Sequence, residues 1–419
     1  MVEIRLDNLT KIYPAKKRRK LLQKMKNVVF RRKQREIEEE EKDVVAVDHV
    51  TLTVRDSGYF TILGPSGSGK STTLGIIAGH IEPDEGKVYF GNKDVTGYPP
   101  HQRDAVMVPQ NLALFPHMII EENVKFGLDY RKICPKCEAL VYPKAKNPIQ
   151  RLAQFLRLKT YDTHCGVSLR KLRKNEKMDR VKTALKMVGL DHHLFGHRKI
   201  RELSGGQKQR VAVARALITE SSVWLLDEAL GALDAKLRVE MREEIRSLQR
   251  EGGITAINVT HDQVEALSSS DEIGIMNEGR IEQIGTPVEI YKNPETRFVA
   301  DFIGRVNFCE GDVLDASTGK LHGLDRQVSL YGVEPPLIGK TAMFMCRPEE
   351  LAVTKDHNGK FIIERMLDYS GAEATYEISK KGLEALRLQV RMTSPTQILN
   401  KGTTVNLRYL SPWRILKEH

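Results

Sequence analysis

The sequence predicts an α/β core followed by an all-β tail, and three observations carry that prediction. A short β-rich run, GYFTIL at 58–63, leads through a glycine-rich turn into the helical-looking TTLGIIAG. Two further apolar runs, SSVWLLDE at 221–228 and ITAINVTHDQVEAL at 254–267, end in polar residues where a strand would give way to a helix. From about 309 the chain alternates short β-like runs with turns (KTAMFMCRPEELAV, ATYEIS, LRLQVRM, TTVNLRYL), the pattern of a small barrel. A length of 419 residues suggests two or three domains, and 40% hydrophobic with 29% charged residues suits a soluble globular chain. No stretch approaches the ~18 consecutive apolar residues of a membrane-spanning helix. The start, MVEIRLDNLT, lacks the apolar core of a signal peptide, so a cytoplasmic location is expected.

Five cysteines in so long a chain make no disulfide framework; Cys309 and Cys346 read as isolated, reduced core residues. The net charge of +11 is localised: residues 15–35, AKKRRKLLQKMKNVVFRRKQR, hold eleven Lys and Arg and no acid, so the rest of the chain is balanced. That distribution argues against a uniformly basic nucleic-acid binder.

The turn after GYFTIL is Gly64-Pro65-Ser66-Gly67-Ser68-Gly69-Lys70-Ser71, which matches G-x-x-x-x-G-K-[ST] without mismatch and continues with Thr72. Glycines let backbone N–H groups turn inward around phosphate oxygens, and the following helix presents its positive N-terminal end there. Lys70 suits the β- and γ-phosphates, and the Ser71 hydroxyl suits one position of a Mg²⁺ ion. At 221–228 a buried strand would deliver Asp227 to orient Mg²⁺ and Glu228 to polarise an attacking water. In LSGGQ, Ser204 is a natural N-cap, and Gly205 and Gly206 expose N–H groups ahead of Gln207, at the start of a helix whose Val211, Ala214 and Ala216 would pack inward. Gln110 in VMVPQNLALFPH and His261 in INVTHDQ both sit where strands end; a lone Gln or His there is usually a cap or a satisfied surface group, so each alone is a weak signal.

Taken together over residues 1–310, these strings resemble the ABC (ATP-binding cassette) ATPase family. The resemblance implies roles. Lys70, Ser71 and the loop glycines would be the Walker A site, and Asp227 and Glu228 the Walker B pair. Ser204 to Gln207 match the signature that reaches across a dimer to the partner's ATP. Gln110 matches the Q-loop glutamine that senses the γ-phosphate, a further Mg²⁺ donor beside Ser71 and Asp227. His261 matches the switch histidine, Asp234 in GALD the D-loop aspartate, and Tyr13 the aromatic that stacks on adenine. Glu228, His261 and Lys70 would carry catalysis. Two positions depart from the pattern: Ala229 replaces the usual Pro after the catalytic Glu, and Pro109 stands where an aromatic is common. Neither removes a catalytic group.

The implied architecture is a P-loop ABC cassette over 1–300, with a RecA-like core, an antiparallel β subdomain and a helical subdomain expanded over about 112–203. A TOBE-like, OB-like all-β domain follows over 301–419. Segments 276–308 and 112–128 resemble importer ATPases, and RPEEL at 347–351 echoes the TOBE domain. The resemblance therefore implies an ATP-hydrolysing importer motor on the cytoplasmic face of the membrane. Its implied partners are a second ATPase subunit (identical or paralogous), two transmembrane permease subunits and an extracytoplasmic solute-binding protein. The rival is a non-transport ABC ATPase acting on nucleic acid or the ribosome, disfavoured by the single cassette and the tail. The solute is not legible, although the short tail leans toward iron, polyamine or anion uptake.

Two segments fall outside this pattern. In the basic insertion at about 14–43, Leu21, Leu22, Met25, Val28 and Val29 form an apolar stripe on a basic helix. Its open readings are contact with anionic lipid, contact with a partner, and a solvated hairpin tip. The expansion at 129–182 carries Cys134 and Cys137 in CPKC, then His164 and Cys165. These are compatible with a structural zinc site or with unligated, reduced thiols; the adjacency of His164 and Cys165 favours the thiols.

Overall fold

The computed structural model describes residues 2–14, 43–128, 132–133, 140–141, 163–164, 167–168, 170–231, 233–324, 327–331, 337–393 and 398–416. They form two compact units, 1–287 and 288–419, parting before the expected position after residue 300. The first unit begins with β1 (Ile4–Tyr13), β2 (Val44–Val54), β3 (Tyr59–Leu63), α1 (Lys70–Ala78), β4 (Glu85–Phe90), β5 (Lys93–Asp94) and β6 (Ala105–Val108). After α2 (Ile120–Lys125) come the two-residue strands β7 (Lys132–Ile133), β8 (Leu140–Val141), β9 (Thr163–His164), β10 (Val167–Ser168) and β11 (Arg170–Lys171). Then follow α3 (Lys174–Met187), α4 (His192–Phe195), α5 (Gly205–Leu217), β12 (Val223–Asp227), α6 (Ala235–Gly252), β13 (Thr255–Thr260), α7 (Gln263–Ser269), β14 (Glu272–Asn277) and β15 (Arg280–Gly285).

The central sheet has the order β15-β14-β3-β13-β12-β6; it is parallel throughout except that β15 runs antiparallel to β14. Every residue of β3 and β13 is buried, which explains their unbroken apolar and β-branched runs: a parallel strand covered on both faces needs no polar side. Because β3, β6, β12 and β13 run the same way, the segments bearing residues 64–71, Gln110, Glu228 and His261 all leave from the carboxyl edge of one sheet. A second, antiparallel sheet, β2-β1-β4-β5, holds Tyr13 at the end of β1. The helices α2, α3 and α5 share a core through Val124, Val181, Leu185, Val211 and Ala214. Val211, Ala214 and Ala216 pack inward as read. Within the expanded helical segment, the described residues also include small antiparallel sheets, β11-β7-β8 and β10-β9. Pairing such as Arg170 with Ile133 is non-local and leaves no periodicity in the sequence.

Arg103 is 2% exposed and has no carboxylate in hydrogen-bond contact; its guanidinium donates to the carbonyls of Ile76 (2.6 Å), Ile77 (2.7 Å), Thr96 (2.8 Å) and Tyr98 (2.8 Å). Two of these carbonyls, those of Ile76 and Ile77, lie at the C-terminal end of α1, the helix that starts at Lys70. Burial pulls its pKa down to about 10, still charged near neutrality.

The helix α8 (Pro287–Lys292) begins at the last residue of the first unit; the second unit continues with α9 (Arg297–Ile303), β16 (Asn307–Val313), β17 (Thr318–Leu321), β18 (Gln327–Tyr331), β19 (Thr341–Cys346), β20 (Leu351–Lys355), β21 (Phe361–Tyr369), β22 (Glu373–Lys380), β23 (Leu383–Thr393), β24 (Thr404–Tyr409) and β25 (Trp413–Ile415). The single barrel expected becomes a closed five-stranded barrel, β16-β17-β18-β25-β19, and a five-stranded sheet, β20-β24-β21-β22-β23, sharing one core. The pairing of Leu330 with Trp413, far apart in sequence, joins β18 to β25 in the barrel. Cys309 and Cys346 are buried free thiols, as read. Arg347, at the head of RPEEL, is buried, stacks on Tyr291 and donates to the carbonyls of Ala300, Gly304 and Arg305 at the end of α9. Trp224 and Trp413 are buried in the first and second unit respectively. Among the described residues no helix is long and apolar enough to cross a membrane.

Candidate active site

The turn 64–69 joins β3 to α1. Gly69 has φ 101°, and a Cβ there would lie 2.0 Å from the Ala46 carbonyl oxygen, so neither backbone nor space admits another residue. Within the turn Ser68 is buried, whereas Ser66 and Gly67 are exposed; Ser71 is exposed and Thr72 half-buried. The buried Lys70 amine donates to the carbonyls of Gly64 (2.9 Å) and Pro65 (2.7 Å). Burial lowers its pKa, against the pull of Glu228 and Asp227.

Ser71 Oγ donates to Asp227 Oδ1 at 2.9 Å. Burial lifts the Asp227 pKa above the usual aspartate value and Glu228 adds to the lift, while the Ser71 hydrogen bond and Lys70 oppose it. Two hard oxygen donors meeting here, one a carboxylate whose charge burial disfavours, fit the donor set Mg²⁺ takes. Next in sequence, Glu228 has φ 44°, in the left-handed region that costs a non-glycine residue about 1–3 kcal/mol. Its carboxylate is held from two sides: Gln110 Nε2 donates to Oε2 at 2.9 Å, and His261 Nδ1 lies 2.9 Å from Oε1. The site thus brings together Lys70, Ser71, Asp227, Glu228, Gln110 and His261.

Other predicted residues stand apart from this cluster. Ser204 caps α5 by accepting from the Gln207 N–H, and Gln207 Oε1 accepts from the Ser204 N–H in return, a capping box. Gly205 and Gly206 make the first turn, and a Cβ on Gly206 would fall 2.1 Å from Leu237 Cδ2, so α5 starts close against the α6 side chain at 237. Asp234 caps α6 by accepting from the Leu237 N–H at 3.0 Å. Tyr13 is partly exposed, with the Lys11 amine 5.8 Å from its ring centre. Cys134, Cys137, Cys165 and most of the basic insertion lie outside the described residues, as does the side chain of His164.

Three residues important to this geometry were not read from the sequence. Arg215, on α5, donates to the carbonyls of Leu112 and Ala113, two residues of positive φ just after Gln110. Arg238, on α6, donates to the Leu233 carbonyl (3.0 Å) and to Asp262 Oδ2 (3.1 Å). Glu265, buried on α7, accepts from Asn258 Nδ2 and Thr260 Oγ1, both at 2.9 Å. The two arginines bond backbone carbonyls or a carboxylate 24 residues on, and Glu265 bonds side chains across the strand-to-helix turn, none of which a local pattern marks.

The ABC transporter family model matches residues 47–231. The chain is 44% identical over 314 residues to the spermidine/putrescine import ATP-binding protein PotA of Thermobifida fusca, covering 74% of this chain and 71% of that one. To the protein of the same name from Acidothermus cellulolyticus it is 46% identical over 283 residues, 67% of this chain and 61% of the other. Among solved structures, a dimeric bacterial ABC transporter cassette, MJ0796, aligns with 26% identity and a TM-score of 0.47 over 68% of this chain and 98% of that one.

Proposed function

This chain belongs to the ABC transporter family of ATP-binding proteins, and on that premise we propose that it drives import of a polyamine of the spermidine/putrescine type. It is the ATP-hydrolysing motor of an importer, working as a dimer with membrane permease subunits. The observation that carries the hydrolytic reading is the grip on Glu228: one carboxylate, in a strained backbone conformation, held between Gln110 and His261 beside the Lys70–Ser71 turn. A base so held keeps its place while a water is deprotonated, and positioning with charge stabilisation is most of what phosphoryl transfer asks of a protein.

In this reading Lys70 turns from the loop carbonyls to the β- and γ-phosphates, and the N–H groups of the 64–71 turn surround the phosphate oxygens. Ser71 and Asp227, with Gln110 as a further donor, would hold Mg²⁺, which would supply neutralisation of charge on the phosphates. Glu228 orients the attacking water and accepts its proton; His261 braces Glu228 and faces the γ-phosphate. Tyr13 stacks on the adenine. The start of α5, from Ser204 to Gln207, and the cap at Asp234 serve the nucleotide of the other protomer, in a homodimer or a dimer of paralogues. A solute-binding protein delivers the polyamine outside the membrane, the basic arm at 14–43 lies on anionic lipid, and the motor sits peripherally on the cytoplasmic face.

The test is purification from native membranes in mild detergent, followed by reconstitution into vesicles. The expected result is a stoichiometric polytopic membrane protein and ATP-dependent uptake of labelled spermidine. Recovery with soluble partners alone, or uptake indifferent to spermidine, overturns the proposal.

A further inference from the structure

The guanidinium of Arg238 joins two turns that each carry a predicted functional residue. Its Nη2 donates at 3.0 Å to the carbonyl of Leu233, immediately before Asp234, and its Nη1 meets at 3.1 Å the carboxylate of Asp262, immediately after His261. Asp262 is itself fixed. Its other oxygen accepts from the Glu265 N–H at 3.1 Å, capping α7, and its own N–H donates to Thr260 Oγ1 at 3.0 Å. Thr260 in turn donates to the buried Glu265. His261 is therefore flanked on both sides by pinned residues while its ring meets Glu228 at 2.9 Å.

At its other end this linkage begins at the α5 start. The Leu237 side chain, next to Arg238, lies in the space against Gly206 that a Cβ would need, so the 204–207 turn and the first turn of α6 are in side-chain contact. Backbone and side-chain contacts thus run continuously from Gly206 through Leu237, Arg238 and Asp262 to His261 and Glu228. A planar fork that donates from two corners suits such a bridge; a lysine ammonium offers one point charge and does not span both acceptors. Both partners are only partly exposed, at 32% and 27%, so the contact is partly shielded from solvent.

We propose that Arg238 is a positioning residue that couples the turn at Ser204–Gln207, by way of Asp262, to the placement of His261 against Glu228. This rests on the reading of Glu228 and His261 as the hydrolytic centre.

The test uses the full-length protein, with kcat and KM for ATP in magnesium, nucleotide affinity from a fluorescent ATP analogue, and Tm, for Arg238→Met, Arg238→Lys, Asp262→Asn and the Met/Asn double variant. Asparagine at 262 keeps the cap and removes the ion pair. Arg238→Met and Asp262→Asn are each expected to lower kcat about tenfold with KM and Tm nearly unchanged, and the double variant to do no worse than the poorer single, because the two side chains act through one contact. Lysine at 238 recovers less than half of the loss. An unchanged kcat, a kcat loss that tracks a fall in Tm, or a double variant near the product of the singles overturns the proposal. If Arg238→Met does not fold, Arg238→Lys and Asp262→Asn carry the same comparison. Wild-type protein without ATPase activity would instead sink the underlying functional reading, whatever the variants do.

Discussion

Replacing Arg103 by methionine tests how α1, the helix that starts at Lys70, is held in place. The substitution keeps an apolar stem of similar reach and removes four hydrogen bonds to carbonyls, those of Ile76, Ile77, Thr96 and Tyr98. A buried acceptor left without a donor costs about 1–3 kcal/mol. Ile76 O retains the Gly79 N–H, so Ile77 O is the buried acceptor that takes that full penalty, while the part-buried Thr96 and Tyr98 carbonyls, open to water, take about 0.5–1.5 kcal/mol each. Relief of the desolvation cost of the guanidinium offsets part of the sum, leaving a net loss of about 2–4 kcal/mol. For a unit of this size that corresponds to a fall in Tm of about 10 °C. Urea denaturation followed by circular dichroism gives the free energy, with an unchanged m-value showing that the comparison is sound. Hydrogen exchange at the α1 amides should quicken with it. Arg103→Lys, which keeps a charge but fewer donors, should lose about half as much. A loss below about 1 kcal/mol for the methionine variant would mean these carbonyls find other donors, and the argument would fail.

Three further outcomes follow from the same geometry. Glu228→Gln should lower kcat by about 10²–10⁴-fold while ATP binding is retained, checked by single-turnover hydrolysis and nucleotide titration; a tenfold or smaller loss would remove Glu228 as the base. Gly69→Ala, forced against Ala46 O at φ 101°, should lose about 3 kcal/mol or more and abolish nucleotide binding by calorimetry, whereas near-native affinity would contradict the fit described. Burial lifts the Glu265 pKa, with Asp262 adding and the Asn258 and Thr260 hydrogen bonds opposing. The folded protein therefore binds more protons than the unfolded one just above the ordinary glutamate range. Stability relative to Glu265→Gln should fall as pH rises through that window and recover on acidification, in paired urea titrations between pH 7 and 5. Parallel curves, or the opposite slope, would refute it.

Much of the nucleotide-binding half was legible because its signals are local. Gly69 must be glycine for reasons that lie within its own turn and the strand beside it, and the apolar runs of β3, β12 and β13 announce strands covered on both faces. What escaped reading depends on backbone carbonyls and pairings that no side-chain pattern marks. Arg103, Arg238 and Arg347 look like ordinary surface charges in sequence, and their carbonyl partners become visible only after folding. The strands of the tail could be read one by one, yet their division into a barrel and a separate sheet could not. That division depends on pairings such as Leu330 with Trp413, which no repeat or spacing encodes. The Glu228 backbone was equally silent: a left-handed φ at a glutamate contradicts local preference, as strained functional positions do.

The sequence contains two tryptophans, and the fold buries Trp224 in the first unit and Trp413 in the second. The protein thereby carries a native emission probe in each half. In Trp224→Phe all indole fluorescence reports on the tail; in Trp413→Phe it all reports on the cassette, and a difference between their unfolding midpoints measures how far the two halves melt as separate cooperative blocks. Addition of ATP then becomes informative without any label. A midpoint that rises in the cassette signal alone places the stabilisation there, while a rise in both signals shows that nucleotide energy is felt across the whole chain.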